Sequence, residues 1–500
     1  MGSSDKRGNS SAIIALAGHF AAALPFLTQL MQRAVLIPLI VACALFMENM
    51  DSTVLATSLP AIAADIGENP LALKLALTSY LVGLAIFIPV SGWVADRYGS
   101  RTIFAWAIVV FMAGSIACAI SSTLPAFVLA RFIQGVGGAM MVPVGRLVLL
   151  KSVPKDGLVK ALNYLTFPAL LGPIMGPPLG GFITQYFDWR WIFLINVPIS
   201  ILGLVLVLRF IPNIRETELP RLDVRGFVLL GLGLSLSMLG LSALGGHLLP
   251  TGVTAACIVF GGIAIAGYAW HASRVTDPLL NLRLLRTPTM RAGIIGGTLF
   301  RTGMGATPFL LPLLFQIGFG MDPLHSGLLS CATAGGAMFM KTLTVSILKR
   351  FGFRQVLIVN ALLASASAAA FGLFTAETPH TLIVAVLLLS GCLRSLQFTS
   401  LNAICFAEVS KQTMGQTSGL QSMSQRLAQS VGVVIGAYTL QIASTLHGHD
   451  GIMSSDFLWA FLVTAGVSAA SLLFHTGLPA DAGAEISGRG KGKDTPPPRV

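Results

Sequence analysis

Charge is what this 500-residue chain has least of: Asp, Glu, Lys and Arg make up 10% of it, against about 25% in an ordinary soluble domain. No Walker A pattern GxxxxGK[ST] occurs, so the chain carries no ATPase of that kind and any transport must draw on an ion gradient. The six cysteines, Cys43, Cys118, Cys257, Cys331, Cys392 and Cys405, all fall in or at the end of apolar runs and form no CxxC pair. Neither a disulfide framework nor a thiolate metal site is indicated. The eight histidines include no HExxH, and "HGHD" at 447–450 reads as a solvated turn in an external loop. "GVGGA" at 135–139 lies within an apolar span with no strand before it, which removes a dinucleotide reading. No nucleophile has a credible base, and the internal loops reach only about 20 residues. An intramembrane enzyme and a non-transporting sensor are therefore remote alternatives.

What is present is hydrophobic sequence, 54% of the chain. Apolar runs of about 20 residues recur from end to end, each long enough to cross the hydrocarbon core as a helix. The chain reads as an all-α polytopic membrane protein with fourteen spans: about 34–58, 71–93, 101–121, 125–149, 158–185, 191–211, 223–244, 251–271, 290–316, 324–347, 354–375, 379–407, 416–444 and 455–476. With the N-terminus inside, the 32 Lys and Arg residues sort into 24 cytoplasmic or at cytoplasmic helix ends, two external (Lys74 and Arg190) and six within spans. That asymmetry is the positive-inside rule, and an even number of spans puts the C-terminus inside too. The net charge of +12 is thus a matter of topology, not a nucleic-acid footprint. The stretch 11–30 is apolar but precedes the first span with no polar loop. It reads as an interfacial helix, a signal-like leader or the product of a start assigned too early, with Met31 the alternative initiator. The tail from about 478 is rich in Gly and Pro and is expected to be disordered.

The two halves carry related signals. "DRYGSR" (96–101) follows the second span and "KRFGFR" (349–354) the tenth, an offset of 253; "LFMENMDST" from Leu45 and "LFRTGMGAT" from Leu299 are offset by 254. They imply a six-helix bundle repeated in parallel, with two helices inserted between the copies. The expected organisation is an N-terminal extension (1–33), a first bundle (34–215), two inserted helices with linkers (216–287), a second bundle (288–477) and a tail (478–500). Repeats of this kind place a substrate site near the midplane at their interface, with rocking of the halves giving alternating access.

Several local patterns carry a family resemblance. "GWVADRYGSR" (92–101) closely resembles the loop between helices 2 and 3 of the major facilitator superfamily, and "RFIQGVGGA" (131–139) its helix-4 motif. "GPIMGPPLGG" (172–181) is similar to the helix-5 motif of its antiporters, while "MDSTVLATSLP" (50–60) and "WRWIFLINVP" (189–198) resemble the 14-span drug:proton antiporters. Within that family, "GVGGAMMVPVGRL" and "FGFRQVLIVN" resemble the MdtD branch of multidrug exporters. The resemblance covers nearly the whole chain. It implies the major facilitator fold and a proton-coupled exporter of small molecules in the bacterial cytoplasmic (inner) membrane. No cofactor is implied, the proton gradient being the energy source; periplasmic or outer-membrane efflux partners are left unspecified.

Each motif also has a physical reading. Gly92 permits close helix approach, Asp96, Arg97 and Arg101 can pair across a cytoplasmic gate, and Gly99 lies in the same loop. The resemblance implies that this cluster stabilises the state closed to the cytoplasm; the plainer reading is a topology anchor. Gly172, Gly176, Gly180 and Gly181 make a small-residue face for helix packing. Pro173, Pro177 and Pro178 remove backbone donors and favour a bend. The resemblance implies control of leak and direction there, though packing alone is the alternative.

Charge inside the spans bears on the substrate. Arg131 is costly in a membrane span without a partner or a wet cavity; the resemblance implies a role in proton coupling, with a purely structural pair as the alternative. Glu48 and Asp51 sit three residues apart on one helix face. Desolvation favours the neutral form of such carboxyls, moving them toward proton exchange at physiological pH. Asp51 matches the family's first-helix aspartate. Glu48 lies outside the motif, its alternatives being a polar-network role or a pair with Arg131, and Ala56 replaces the motif's usual Asn. In the second half Arg301, Lys341, Arg394 and Arg426 lie in spans 9, 10, 12 and 13 with no carboxylate at comparable depth. Snorkelling would account for any one of them. Four together suggest a basic wall of the substrate cavity, hence export of organic anions such as carboxylates or metal–carboxylate chelates as the alternative to lipophilic, often cationic drugs.

Overall fold

The computed structural model describes residues 33–152, 158–216, 221–244, 249–409, 414–448 and 451–487; the expected extension up to residue 32, with its alternative start Met31, lies outside them. Among the described residues the chain is helical, and twelve helices are long and apolar enough to cross a membrane. Two further expected spans, 158–185 and 290–316, fall on helix Leu158–Tyr186 and on a run of short helical pieces between Pro288 and Gly318.

The first bundle consists of α1 (Arg33–Ile66), α2 (Lys74–Tyr98), α3 (Ser100–Ile120), α4 (Leu124–Ser152), α5 (Leu158–Tyr186) and α6 (Asn196–Phe210). Helix α1 outruns its expected span by about two turns. "AIAADI" continues the helix, and Gly67 at φ 76° ends it. Helices α7 (Val224–Ala243) and α8 (Thr251–Arg274) form the inserted pair, which rests on α2. At the root of this pair Asp223 caps α7 and meets His271 at 2.8 Å.

The second bundle begins with a segmented helix. A π-turn at Ala292–Gly296 precedes α9 (Gly297–Gly305), α10 (Thr307–Leu313) follows, and a second π-turn closes at Gly318. Pro308 and Pro312 each remove an amide donor here, which explains why one regular helix does not form. Then come α11 (Pro323–Phe351), α12 (Phe353–Ala370), α13 (His380–Ile404), α14 (Met414–Leu446) and α15 (Asp456–Ala469).

The repeat is visible in the backbone. Gly99 joins α2 to α3 at φ 101°, and Gly352 joins α11 to α12 at φ 79°. Both conformations disfavour a side chain, which is why each half needs a glycine in the same place. The two bundles meet where α5 packs on α11, α2 on α14, and α1 on α10. The tail departs from expectation. Residues 478–487 are ordered, with Leu478 and Ala482 buried, and a Cβ on Gly483 would press on the Phe353 ring. Apolar residues within the Gly-rich stretch anchor it against the start of α12; residues 488–500 lie outside the described residues.

Candidate functional site

The interior of the first bundle holds one connected polar network. Arg131 of α4 donates from Nη1 to Asp51 Oδ2 of α1 at 2.7 Å, and both side chains are about 1% exposed. The same nitrogen donates to Gln134 Oε1 at 2.5 Å, one helical turn along α4. Gln134 Nε2 and Asn196 Nδ2 donate to Asp51 Oδ1 at 2.8 and 2.9 Å, and both also reach Ser115 Oγ. Asp51 therefore accepts three hydrogen bonds, two of them on one oxygen. The Arg131 guanidinium lies 4.3 Å from the Tyr80 ring centre, a cation–π contact that covers its remaining face. A buried charge is tolerable only when paired and hydrogen-bonded, and this pair is both.

Glu48, one turn before Asp51, is equally buried but differently held. Its Oε1 accepts from Arg426 Nη2 at 3.0 Å and from the Tyr80 hydroxyl at 3.4 Å, whereas Oε2 has no hydrogen-bond partner. Arg426 belongs to α14, so this ion pair joins the two bundles. The alternative pairing of Glu48 with Arg131 is not the one observed.

Between the bundles lies a cavity of about 430 Å³. On one side Asn49, Ser52, Tyr80 and Arg131 line it; on the other, Lys341, Arg394, Phe398, Asn402 and Arg426. Lys341 and Arg394 have no hydrogen-bond or ion-pair partner among the described residues. Arg301 departs from the expected basic wall. It is fully buried behind the lining residue Phe398 and donates from Nη2 to Asn402 Oδ1 at 2.7 Å, leaving Nε and Nη1 unsatisfied. Its position on α9, packed against Phe398 and Asn402 of α13, keeps it out of the cavity. Of the four cations expected there, Lys341, Arg394 and Arg426 reach it.

The glycine face of α5 divides its work. A Cβ on Gly172, Gly176 or Gly180 would collide with α1 at Asn49, Thr53 or Val54, so three of the four glycines seat α5 on α1. Gly181 instead faces the other bundle, where a Cβ would overlap the Pro323 carbonyl; reciprocally, a Cβ on Gly327 would overlap the carbonyl of Pro177. Pro173 and Pro177 also line a narrow pocket with Pro308 and Pro312, which shares Thr53, Pro173, Pro308 and Arg394 with the cavity. Beside the crossing, Gln316 donates to the Thr57 carbonyl at 2.9 Å. These contacts join the bundles at the end that the charge asymmetry makes external.

The 92–101 loop is held in part by backbone hydrogen bonds. Neither Arg97 nor Arg101 forms an ion pair with a described residue, and a Cβ on Gly92 would meet nothing within 4 Å, so no close helix approach depends on it. Backbone bonds tie the loop to the segment after α6: Ser100 N–H to the Ile214 carbonyl and Glu216 N–H to the Asp96 carbonyl, each 3.0 Å. Asn213 packs onto Gly99 and donates to Thr102 Oγ1 at 3.1 Å.

A family model described as Major Facilitator Superfamily matches residues 41–433 and again 293–497. The chain belongs to the major facilitator superfamily. It is 38% identical over 447 residues to a protein of Serratia proteamaculans (strain 568) named "Putative multidrug resistance protein MdtD", covering 88% of this chain and 93% of that one. A protein of the same name from Yersinia enterocolitica is 37% identical over 450 residues, covering 89% and 95%. Among solved structures, a POT family transporter in complex with 5-aminolevulinic acid superposes with a TM-score of 0.68 at 14% identity, covering 89% of this chain and 95% of that one. A D-xylose–proton symporter gives 0.65 at 15% identity, covering 90% and 99%. This superfamily member is accordingly a multi-pass transporter of the bacterial cytoplasmic membrane and not an enzyme.

Within this facilitator the structure unites Glu48, Asp51 and Arg131 at one depth and brings Arg426 to them. Gln134, Asn196, Ser115, Tyr80 and Asn402 went unassigned in the sequence. Gln134 was findable, since it stands one turn from Arg131 in "RFIQG" and a glutamine at that spacing can share its partner. Asn196 and Ser115 come from helices distant in sequence, and no local signal marks them.

Proposed function

We propose that this facilitator is a substrate:proton antiporter that exports small molecules by alternating access, of the multidrug type. The observation that carries the reading is the placement of two buried carboxylates, Glu48 and Asp51, beside a cavity shared by both bundles and closed at its external end. A carboxylate held out of water near a substrate cavity is the group that proton-coupled carriers use, because its charge state can be read by the surrounding packing. Relatives named for multidrug resistance support the drug-export side. In everted membrane vesicles, an imposed proton gradient should drive uptake of ethidium, and collapsing the gradient should abolish it. Gradient-independent ethidium movement would remove the antiport reading.

A second reading concerns substrate charge. Lys341 and Arg394 face the cavity with no acid to neutralise them, an arrangement suited to organic anions such as carboxylates. The same vesicles supplied with labelled citrate, with and without a divalent metal, compare the two substrate classes. Uptake of ethidium with none of citrate in any form would discard the anion reading.

A further inference from the structure

We propose that Glu48 is the residue that carries the proton, and that Arg426, reaching it from the opposite bundle, is the group that expels that proton on the cytoplasmic side. The proposal rests on the proton-antiport reading and assigns unequal roles to its two carboxylates.

Asp51 is poorly suited to gain and lose a proton in each cycle. Arg131, Gln134 and Asn196 all point donors at it, so a hydroxyl on either oxygen would face an N–H and displace a bond. All its partners lie in its own bundle, so rocking of the halves leaves them in place. Glu48 differs on both counts. Its Oε2 faces no donor and can take a proton without displacing anything. Its Oε1 is held by Arg426, whose side chain is 23% exposed and lines the cavity, so the route from Glu48 to water runs past that guanidinium.

The groups facing Glu48 come from three elements besides its own. Tyr80 on α2 and Arg426 on α14 bond it, and Arg146 on α4 acts on it through charge; Arg131 on α4 and Asp51, one turn along α1, share Tyr80 with it. Of these, Arg426 alone belongs to the other bundle, and its distance to Glu48 is the one that rocking must change.

A directional cycle follows. With the external end closed, as here, the cavity extends to Asn402, two residues before the cytoplasmic end of α13. Arg426 then neutralises Glu48, and a proton on the carboxyl is redundant and leaves to the cytoplasm. When the bundles rock the other way, the pair lengthens and Glu48 is left buried without its guanidinium. A buried carboxylate that has lost its hydrogen-bonded cation is costly, so it takes a proton from the external side. The proton and Arg426 thus alternate on one carboxyl, and an inward-directed proton gradient drives protons inward through it.

The test is an infrared titration of the full-length detergent-solubilised protein from about pH 5 to pH 9, following the carbonyl stretch of protonated buried carboxyls. Arg426→Gln should gain one such band at neutral pH that wild type lacks. Adding Glu48→Gln should remove it, and Arg426→Lys should suppress it. A band that survives Glu48→Gln, or no new band in Arg426→Gln, overturns the proposal. The companion measurement is gradient-driven ethidium uptake in proteoliposomes, which Glu48→Gln should lower about tenfold or more. Wild-type rates in Glu48→Gln would overturn the proposal while leaving antiport standing. A wild type indifferent to the gradient would remove the antiport reading and the transport role of Glu48 with it.

Discussion

The two bundles bury a guanidinium each, and they treat it in opposite ways. Arg131 in the first is neutralised by Asp51, braced by Gln134 and covered by Tyr80. Arg301 in the second is just as buried, yet its single hydrogen bond goes to a neutral amide, Asn402, and two donor groups are left unsatisfied. Sequence offset alone would make these halves alike, since α9 stands in the repeat where α1 does. The difference is that the first bundle neutralises its buried guanidinium from within, whereas the second leaves Arg301 without an acid. Arg426 is neutralised across the interface, and Lys341 and Arg394 face the cavity bare. Such a division leaves the first bundle as a settled frame and the second as the source of positive field.

Removing the acid from the first bundle should break the contrast most severely. Asp51→Asn keeps the shape of the side chain but strands the Arg131 charge, and breaking a buried pair from one side costs about 3–5 kcal/mol. A marked fall in melting temperature in detergent is expected, with transport lost alongside. Supplying the missing acid to the second bundle should narrow the contrast instead. Asn402→Asp sets a carboxylate 2.7 Å from Arg301 Nη2, and a hydrogen bond to a charged group contributes about 1.5–3 kcal/mol. A rise in melting temperature is expected, since Gln421, which donates to Asn402 Oδ1 at 3.0 Å, keeps its acceptor; a fall would refute the expected gain from the charge pair. The smallest effect on stability belongs to the double variant Lys341→Gln/Arg394→Gln, within about 0.5 kcal/mol, because neither residue has a partner to lose. Its transport of organic anions in vesicles should nonetheless fall steeply while ethidium uptake persists.

Much of the architecture was legible because membrane helices announce themselves through length and composition, and because the charge asymmetry orients them. The family motifs marked Asp51, Arg131 and the α5 glycines, and the structure brings the first two into contact. What could not be read was pairing. Four inward cations in the second half look equivalent along the chain, but helix rotation about the axis sends Arg301 into packing, Lys341 and Arg394 into the cavity, and Arg426 across it. A one-dimensional pattern carries no rotation for a helix that is apolar nearly all round. Part of what holds the 92–101 loop was hidden for a related reason: backbone groups and Asn213, in a segment more than a hundred residues away, anchor it. The start of the tail was misjudged because composition averages over a few apolar residues that are enough to anchor it.

The meeting of Gly181 with Pro323 and of Gly327 with Pro177 works like the pin of a pair of scissors. Two rods that touch on bare backbone can turn about the point of contact with little displacement there. From that point to the cytoplasmic tips of α5 and α11 is about 23 residues, or roughly 35 Å at about 1.5 Å per residue. Turning one arm by about 10° would swing its tip by roughly 6 Å while the pin moves hardly at all. Under the alternating-access reading proposed above, such a turn would open the cytoplasmic side while the external contact holds. A side chain at the pin would act as a wedge, felt most at the far end of the handles.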